Sequence, residues 1–125
     1  MERNFVGWFE IPVNDIRRAS LFYEAVFEIT LTQMDLGELK MATFPFVEGG
    51  FGAGISLIKH KEHYTSSNHG VVIYFGTKDI DKNLDAVREN GGEILQNEKA
   101  VGSNQGFNAV FLDTEGNRIA LHSNS

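Results

Sequence analysis

The chain has 125 residues, 42% of them hydrophobic in type, and carries 11 basic against 17 acidic residues for a formal net charge of −6. That is enough apolar material for one core and too little for two independent ones, and the negative balance opposes approach to nucleic acid or to an anionic membrane surface. There is no cysteine, which excludes disulfides and thiolate zinc sites; neither a signal peptide nor an apolar run of membrane-spanning length is legible, so a cytoplasmic location is expected.

In chain order, Phe9, Ile11 and Val13 alternate with Trp8, Glu10 and Pro12, the period of a strand with one face against a helix. Asn14 or Asp15 then caps a helix. Along it Ile16, Ala19, Phe22, Tyr23, Val26 and Phe27 recur at spacings of three and four, while Arg17, Arg18 and Glu24 stay on the wet side. Strands are expected over 28–33, 40–44 and 53–58, with a turn at Asp35-Leu36-Gly37. The polar, aperiodic run from Lys59 to His69 reads as a linker. Beyond it Ile73, Phe75 and Thr77 repeat the strand pattern, Asp79 caps, Ile80, Leu84 and Val87 make a second stripe, and Gly91-Gly92 stops that helix. Further strands are expected over 93–95, 107–112 and 118–122, with Gly116 or Asn117 taking positive φ in the last hairpin.

The two halves repeat. A shift of 64 residues carries Asp15-Ile16 onto Asp79-Ile80, Leu31 onto Leu95, and Phe9 and Ile11 onto Ile73 and Phe75. This predicts an α+β fold of two tandem βαβββ modules, about 1–58 and 70–125 around a linker at 59–69, in a single domain. Neither module can bury both faces of its own small sheet, so the two share a core as an incomplete barrel, with helices outside and a concave groove between them. Alternation assigns Trp8, Glu10, Gly54, Ser56, Val72, Tyr74, Ala120 and His122 to the groove side.

The stretch 7–27 (Gly-Trp-Phe-Glu-Ile-Pro-Val-Asn-Asp-Ile-Arg-Arg-Ala-Ser-Leu-Phe-Tyr-Glu-Ala-Val-Phe) resembles the first strand and helix of the vicinal oxygen chelate superfamily of glyoxalases, bleomycin-resistance proteins and extradiol dioxygenases. The run Asp113-Thr114-Glu115-Gly116-Asn117-Arg118-Ile119-Ala120-Leu121-His122-Ser123 resembles its last hairpin, and Asp79 to Gly92 its second helix. The resemblance covers nearly the whole chain and implies fold more sharply than reaction, because the superfamily spans isomerases, dioxygenases, resistance enzymes and drug-binding proteins. It also implies four metal-ligand positions, one on each of four strands, which fall here on Trp8, Gly54, Val72 and Ala120. None offers a donor side chain, so no metal and no cofactor are expected, and chelation chemistry loses its device.

Glu10 and His122 are the candidate acid and base couple. Glu10 reads equally well as a solvated carboxylate, and His122 as a merely hydrogen-bonded strand end. Trp8 and Tyr74 offer flat apolar area with a polar tip, and with Glu10, Phe51, Ser56 and His122 they form the candidate ligand-binding set. The glycine-rich run 49–54 lacks the helix that a phosphate-cradling loop needs and reads as a rim, with Phe46 and Phe51 near the groove mouth. His60 and His63, with Glu62 between them, lie in the polar linker, where solvent exposure is expected. Two functions follow: a metal-free binding protein for a small aromatic or cationic ligand, or a glyoxalase-like lyase or isomerase of a small oxygenated substrate working through Glu10 and His122. A homodimer is expected, with Phe5, Leu36 and Phe46 as candidate contacts.

Overall fold

The structure is a computed structural model describing residues 5–50, 52–60 and 64–124, so Phe51, Glu62 and His63 lie outside the described residues. The first half runs β1 (Trp8–Pro12), α1 (Ile16–Phe27), β2 (Thr32–Asp35), β3 (Lys40–Thr43) and β4 (Gly54–Lys59). The second runs β5 (Ile73–Gly76), α2 (Ile80–Glu89), β6 (Glu93–Ala100), β7 (Phe107–Leu112) and β8 (Arg118–Ser123). The strands form two sheets ordered β1-β4-β3-β2 and β5-β8-β7-β6. In each, the first strand lies parallel to the last and the remaining pairs are antiparallel. The repeat in the sequence is thus a repeat of topology, and no closed barrel forms.

Both helices start on an aspartate that accepts a backbone N–H of the first turn: Asp15 from Arg18 at 3.0 Å and Asp79 from Lys82 at 3.1 Å. Of the two candidate caps for α1, Asp15 serves. The helix ends at Glu28, which takes the left-handed conformation (φ 55°) and places its N–H on Glu24 O. That geometry corrects the expected strand at 28–33. The chain must leave the helix first, Leu31 buries its side chain while its N–H meets Glu24 Oε2 at 2.9 Å, and β2 begins only at Thr32. Strand β6 extends to Ala100, beyond the expected 93–95, with register irregularities after Ile94 and after Gln96. Those irregularities break the repeat where Leu31 had been matched to Leu95: Leu31 is 5% exposed and Leu95 49%, and Ile94 packs against the core instead.

One apolar cluster draws on both halves. Phe22, Tyr23 and Val26 of α1 meet Ile80, Leu84 and Val87 of α2, with Leu57, Phe111 and Leu121 from the sheets. Aromatic rings bridge the modules, Phe27 stacking on Phe75 at 4.6 Å and Phe44 meeting the same ring at 5.7 Å. Asn83 of α2 donates its amide to Val26 O at 2.9 Å, satisfying a carbonyl of the last turn of α1.

The hairpin between β7 and β8 ties the second half to the first. Asp113 Oδ1 accepts the backbone N–H groups of Glu115 and Asn117, and Oδ2 accepts the Tyr23 hydroxyl at 2.6 Å. Asn117 donates to Pro12 O at 2.7 Å, fixing the end of β1, and Gly116 takes the positive φ (86°). Glu115, whose side chain is wholly buried, accepts Asn14 N, Asp15 N and both Nε and Nη2 of Arg18 at 2.7–2.9 Å. Burial pushes the Glu115 carboxyl up, but the hydrogen bonds of Arg18, Thr114, Asp15 and Asn14 outweigh it and hold it at about 2. Burial dominates at Asp113, whose carboxyl stays above the usual range despite its donors, and burial likewise raises the Tyr23 phenol.

Candidate functional site

A cavity of about 420 Å³ lies where β1 faces β5 and β8. Trp8, Phe9, Glu10, Ile11 and Pro12 line it from β1, Ile73 from β5, and Asn117 and Ile119 from the last hairpin and β8. Thr65, Ser67, Gly70 and Val71 complete the wall. The segment read as a linker is therefore part of the site. It is anchored rather than free: Ser67 N donates to Asn117 Oδ1 at 3.0 Å, Arg118 Nη2 to Gly70 O at 3.0 Å, and Asn14 Nδ2 to Ser66 Oγ at 3.2 Å. These wall residues escaped sequence reasoning because a polar, aperiodic run carries no facing information. Tyr64, the one aromatic within it, was the only available signal.

Of the expected groove residues, the cavity brings together Trp8 and Glu10. Ser56 is fully buried beside them on β4, and its hydroxyl shares a 3.0 Å hydrogen bond with Thr43. Tyr74 is 56% exposed on the second sheet, opposite Ala120. His122 sits at the far end of β8, its Nδ1 at 2.7 Å from Asn108 Oδ1 and its Nε2 at 3.3 Å from Asn124 Oδ1. The charge of Glu10 pushes the Tyr64 phenol up. His122 has partners of its own and is not among the cavity's lining residues. His60 is half-buried, correcting the expected exposure, with its ring edge-on to Tyr64 at 6.2 Å.

The metal that the sequence resemblance implies does not fit these residues. Trp8 pairs directly with Gly54 in the β1–β4 register, and its indole lies over the glycine. A Cβ built on Gly54 would stand 2.6 Å from Trp8 Cε3, closer still to Cζ3, and 3.4 Å from Phe46 Cδ1. Neither a donor nor the room for one exists at that pair, and on the second sheet Ala120 is fully buried. Among the described residues no three His, Asp or Glu side chains converge. In the second sheet an aromatic residue again pairs with a small one, Tyr74 with Ala120.

This contact sets a direct test, because Trp8 is the only tryptophan in the chain. Gly54→Ala is expected to push the indole toward water and shift its fluorescence to the red, at a stability cost of only about 1 kcal/mol, since Trp8 is already 46% exposed and can swing. An unchanged emission spectrum would show that the ring does not rest on Gly54.

The model of the Glyoxalase/Bleomycin resistance protein/Dioxygenase superfamily matches residues 5–121. A Glyoxylase-like domain-containing protein of Didymella fabae is 29% identical over 119 residues, covering 93% of this chain and 91% of that protein. Among solved structures, a glyoxylase/bleomycin resistance protein/dioxygenase domain from Frankia sp. superposes with a TM-score of 0.75 at 13% identity, over 99% of this chain and 94% of that one. The fosfomycin resistance protein FosX of Listeria monocytogenes gives 0.73 at 16% identity, over 100% of this chain and 94% of its own. At such identities the structural likeness is one of fold.

Proposed function

The chain belongs to the glyoxalase/bleomycin resistance protein/dioxygenase superfamily, and from that membership we propose that it is a metal-free binding protein for a small aromatic or cationic molecule, held in the cavity between β1 and β5–β8. The observation that carries the reading is the Trp8 indole lying on Gly54 at the wall of that cavity, where the superfamily resemblance places a metal ligand. An aromatic face with a carboxylate two residues away suits an organic cation, which gains from the ring quadrupole and from Glu10 together. Phe9, Ile11, Ile73 and Ile119 supply the apolar remainder of the wall. The chain's own part is to bind and desolvate the ligand, with Trp8 stacking and Glu10 offering charge; the alternative acid–base chemistry requires Glu10 and His122 at one reacting atom, and the engagement of His122 with Asn108 and Asn124, outside the cavity lining, favours binding. The expected homodimer is consistent with the exposed Phe5, Leu36 and Phe46, at 95%, 62% and 60% exposure.

The test is a thermal one, because a ligand that binds only the folded chain raises its midpoint. Nickel, zinc and manganese are expected to leave the midpoint unchanged. An aromatic quaternary ammonium at about 100 times its Kd should raise stability by roughly 2.7 kcal/mol. A stoichiometric metal that raises the midpoint and is lost on Glu10→Ala or His122→Ala would overturn the proposal and favour the enzyme.

A further inference from the structure

In the second sheet Ala109 and Phe111 of β7 and Ile119 and Leu121 of β8 belong to the core, so Asn108 and His122 stand on the opposite face. They are register partners, and His122 Nδ1 lies 2.7 Å from Asn108 Oδ1. A hydrogen bond from Nδ1–H to Oδ1 leaves the Asn108 NH2 group for another partner. Gly106 holds the β6–β7 hairpin against the same ring: its φ is 77°, and a Cβ there would stand 3.1 Å from His122 Cε1.

On the other side of Asn108 the ladder is irregular. Gln96 pairs with Val110 and Lys99 with Asn108, three steps along β6 against two along β7. An unbroken ladder would set Glu98 opposite Asn108; the bulge sets Lys99 there instead, replacing a carboxylate by an ammonium. Arg88 of α2 donates to Asn97 Oδ1 at 3.3 Å, tying the bulged segment to the helix. Gln96, Lys99, Ala100, Val101 and Asn108 line a pocket of about 220 Å³ at this place, and it shares no lining residue with the cavity between β1 and β5–β8. Its side chains bring one ammonium and two primary amides, with no carboxylate. Among the described residues Lys99 is in no ion pair. In a chain of formal net charge −6 this is a local reversal of sign.

We propose that this pocket is a second binding site, for a short-chain carboxylate. Lys99 and the Asn108 amide hold the carboxylate oxygens, Gln96 adds a donor, and Ala100 and Val101 meet the alkyl end. Hydrogen bonds to an ionised acceptor are about twice as strong as neutral ones, so the charge of the ligand decides whether it stays.

Propionate is titrated into isotope-labelled protein at constant ionic strength, and the amide resonances are followed. The signals of Gln96, Lys99 and Asn108 are expected to shift to saturation, whereas propionamide, of similar shape without the charge, should leave them in place. Lys99→Gln should weaken propionate about tenfold, the scale of one charge-assisted hydrogen bond. Lys99 is exposed, so that variant removes no buried contact. Glu98→Gln changes the net charge by the same step from a residue that the bulge keeps out of register with Asn108, and should alter affinity less than about twofold. Shifts that never saturate, an equal response to propionamide, or a Glu98→Gln effect as large as that of Lys99→Gln would each overturn the proposal, since they describe loose attraction to charge and no site. Inorganic phosphate saturating the same signals where propionate does not would sink the carboxylate assignment. The binding reading of the larger cavity is followed separately, by the fluorescence of Trp8, and neither result decides the other.

Discussion

Glu115→Ala is expected to lower stability by about 2–4 kcal/mol, or roughly 10 °C in thermal midpoint, without touching the cavity. The carboxylate is fully buried and accepts two backbone N–H groups at the start of α1 as well as the Arg18 guanidinium. Deleting it leaves Asn14 N, Asp15 N and the Thr114 hydroxyl without their acceptor. The estimate stays below the full cost of a broken buried ion pair because Arg18 is half exposed and can turn to water. The group also sets an acid limb. Its carboxyl sits at about 2 in the folded chain against 4.5 ordinarily, so the unfolded chain takes up this proton more readily. The stability it contributes is complete above the ordinary value and is lost as pH falls from 4.5 through about 2. Asp113, raised by burial, acts in the opposite sense, its contribution being present at low pH and lost as pH rises through its folded value. Glu115→Gln should therefore flatten the acid limb of a urea-midpoint profile measured from pH 2 to pH 7. A limb of unchanged depth would mean that the carboxylate is not held as described.

Gly92→Ala is expected to cost about 2–3 kcal/mol, through overpacking rather than backbone strain. A Cβ at this corner between α2 and β6 would meet Val87 Cγ1 at 2.7 Å, Leu112 O at 2.8 Å and Phe22 Cε1 at 2.8 Å. Val87 and Phe22 are core residues, and Leu112 O is backbone, so none of the three can move aside cheaply. The glycine pair that reads as a single helix stop thus has two separate duties. Gly91 supplies a positive φ of 95°, and Gly92 supplies the close approach by which α2 turns onto β6 beside α1. Chemical denaturation checks the magnitude; a loss under about 0.5 kcal/mol would mean that the corner is looser than this packing implies.

Periodicity located the start of α2 to the residue and that of α1 to within one, Asn14 and Asp15 both being offered as its cap, because caps and apolar stripes are local signals carried by neighbouring side chains. It located β7 for the same reason. It placed β2 too early, since the left-handed exit at Glu28 and the Leu31–Glu24 hydrogen bond are choices of the folded chain and leave no period in the sequence. The site divided along the same line. Trp8 and Glu10 were found from the alternation of one strand, whereas Thr65, Ser67 and Asn117 were not, since they reach the cavity from a connection and a hairpin tip.

By itself, the sequence determined the two-fold repeat and the βαβββ order of each half, which follow from residue type and spacing, while the metal-donor positions at Trp8, Gly54, Val72 and Ala120 are what the family resemblance implies. Only the tertiary structure decided what takes the place of those donors, which carboxylate partners which hydroxyl, and where the cavity lies. Those outcomes depend on pairs as far apart as Arg18 and Glu115, Pro12 and Asn117, or Tyr23 and Asp113. Contacts at such separations are fixed by the burial of a shared core, a property of the whole chain that no local window of sequence contains.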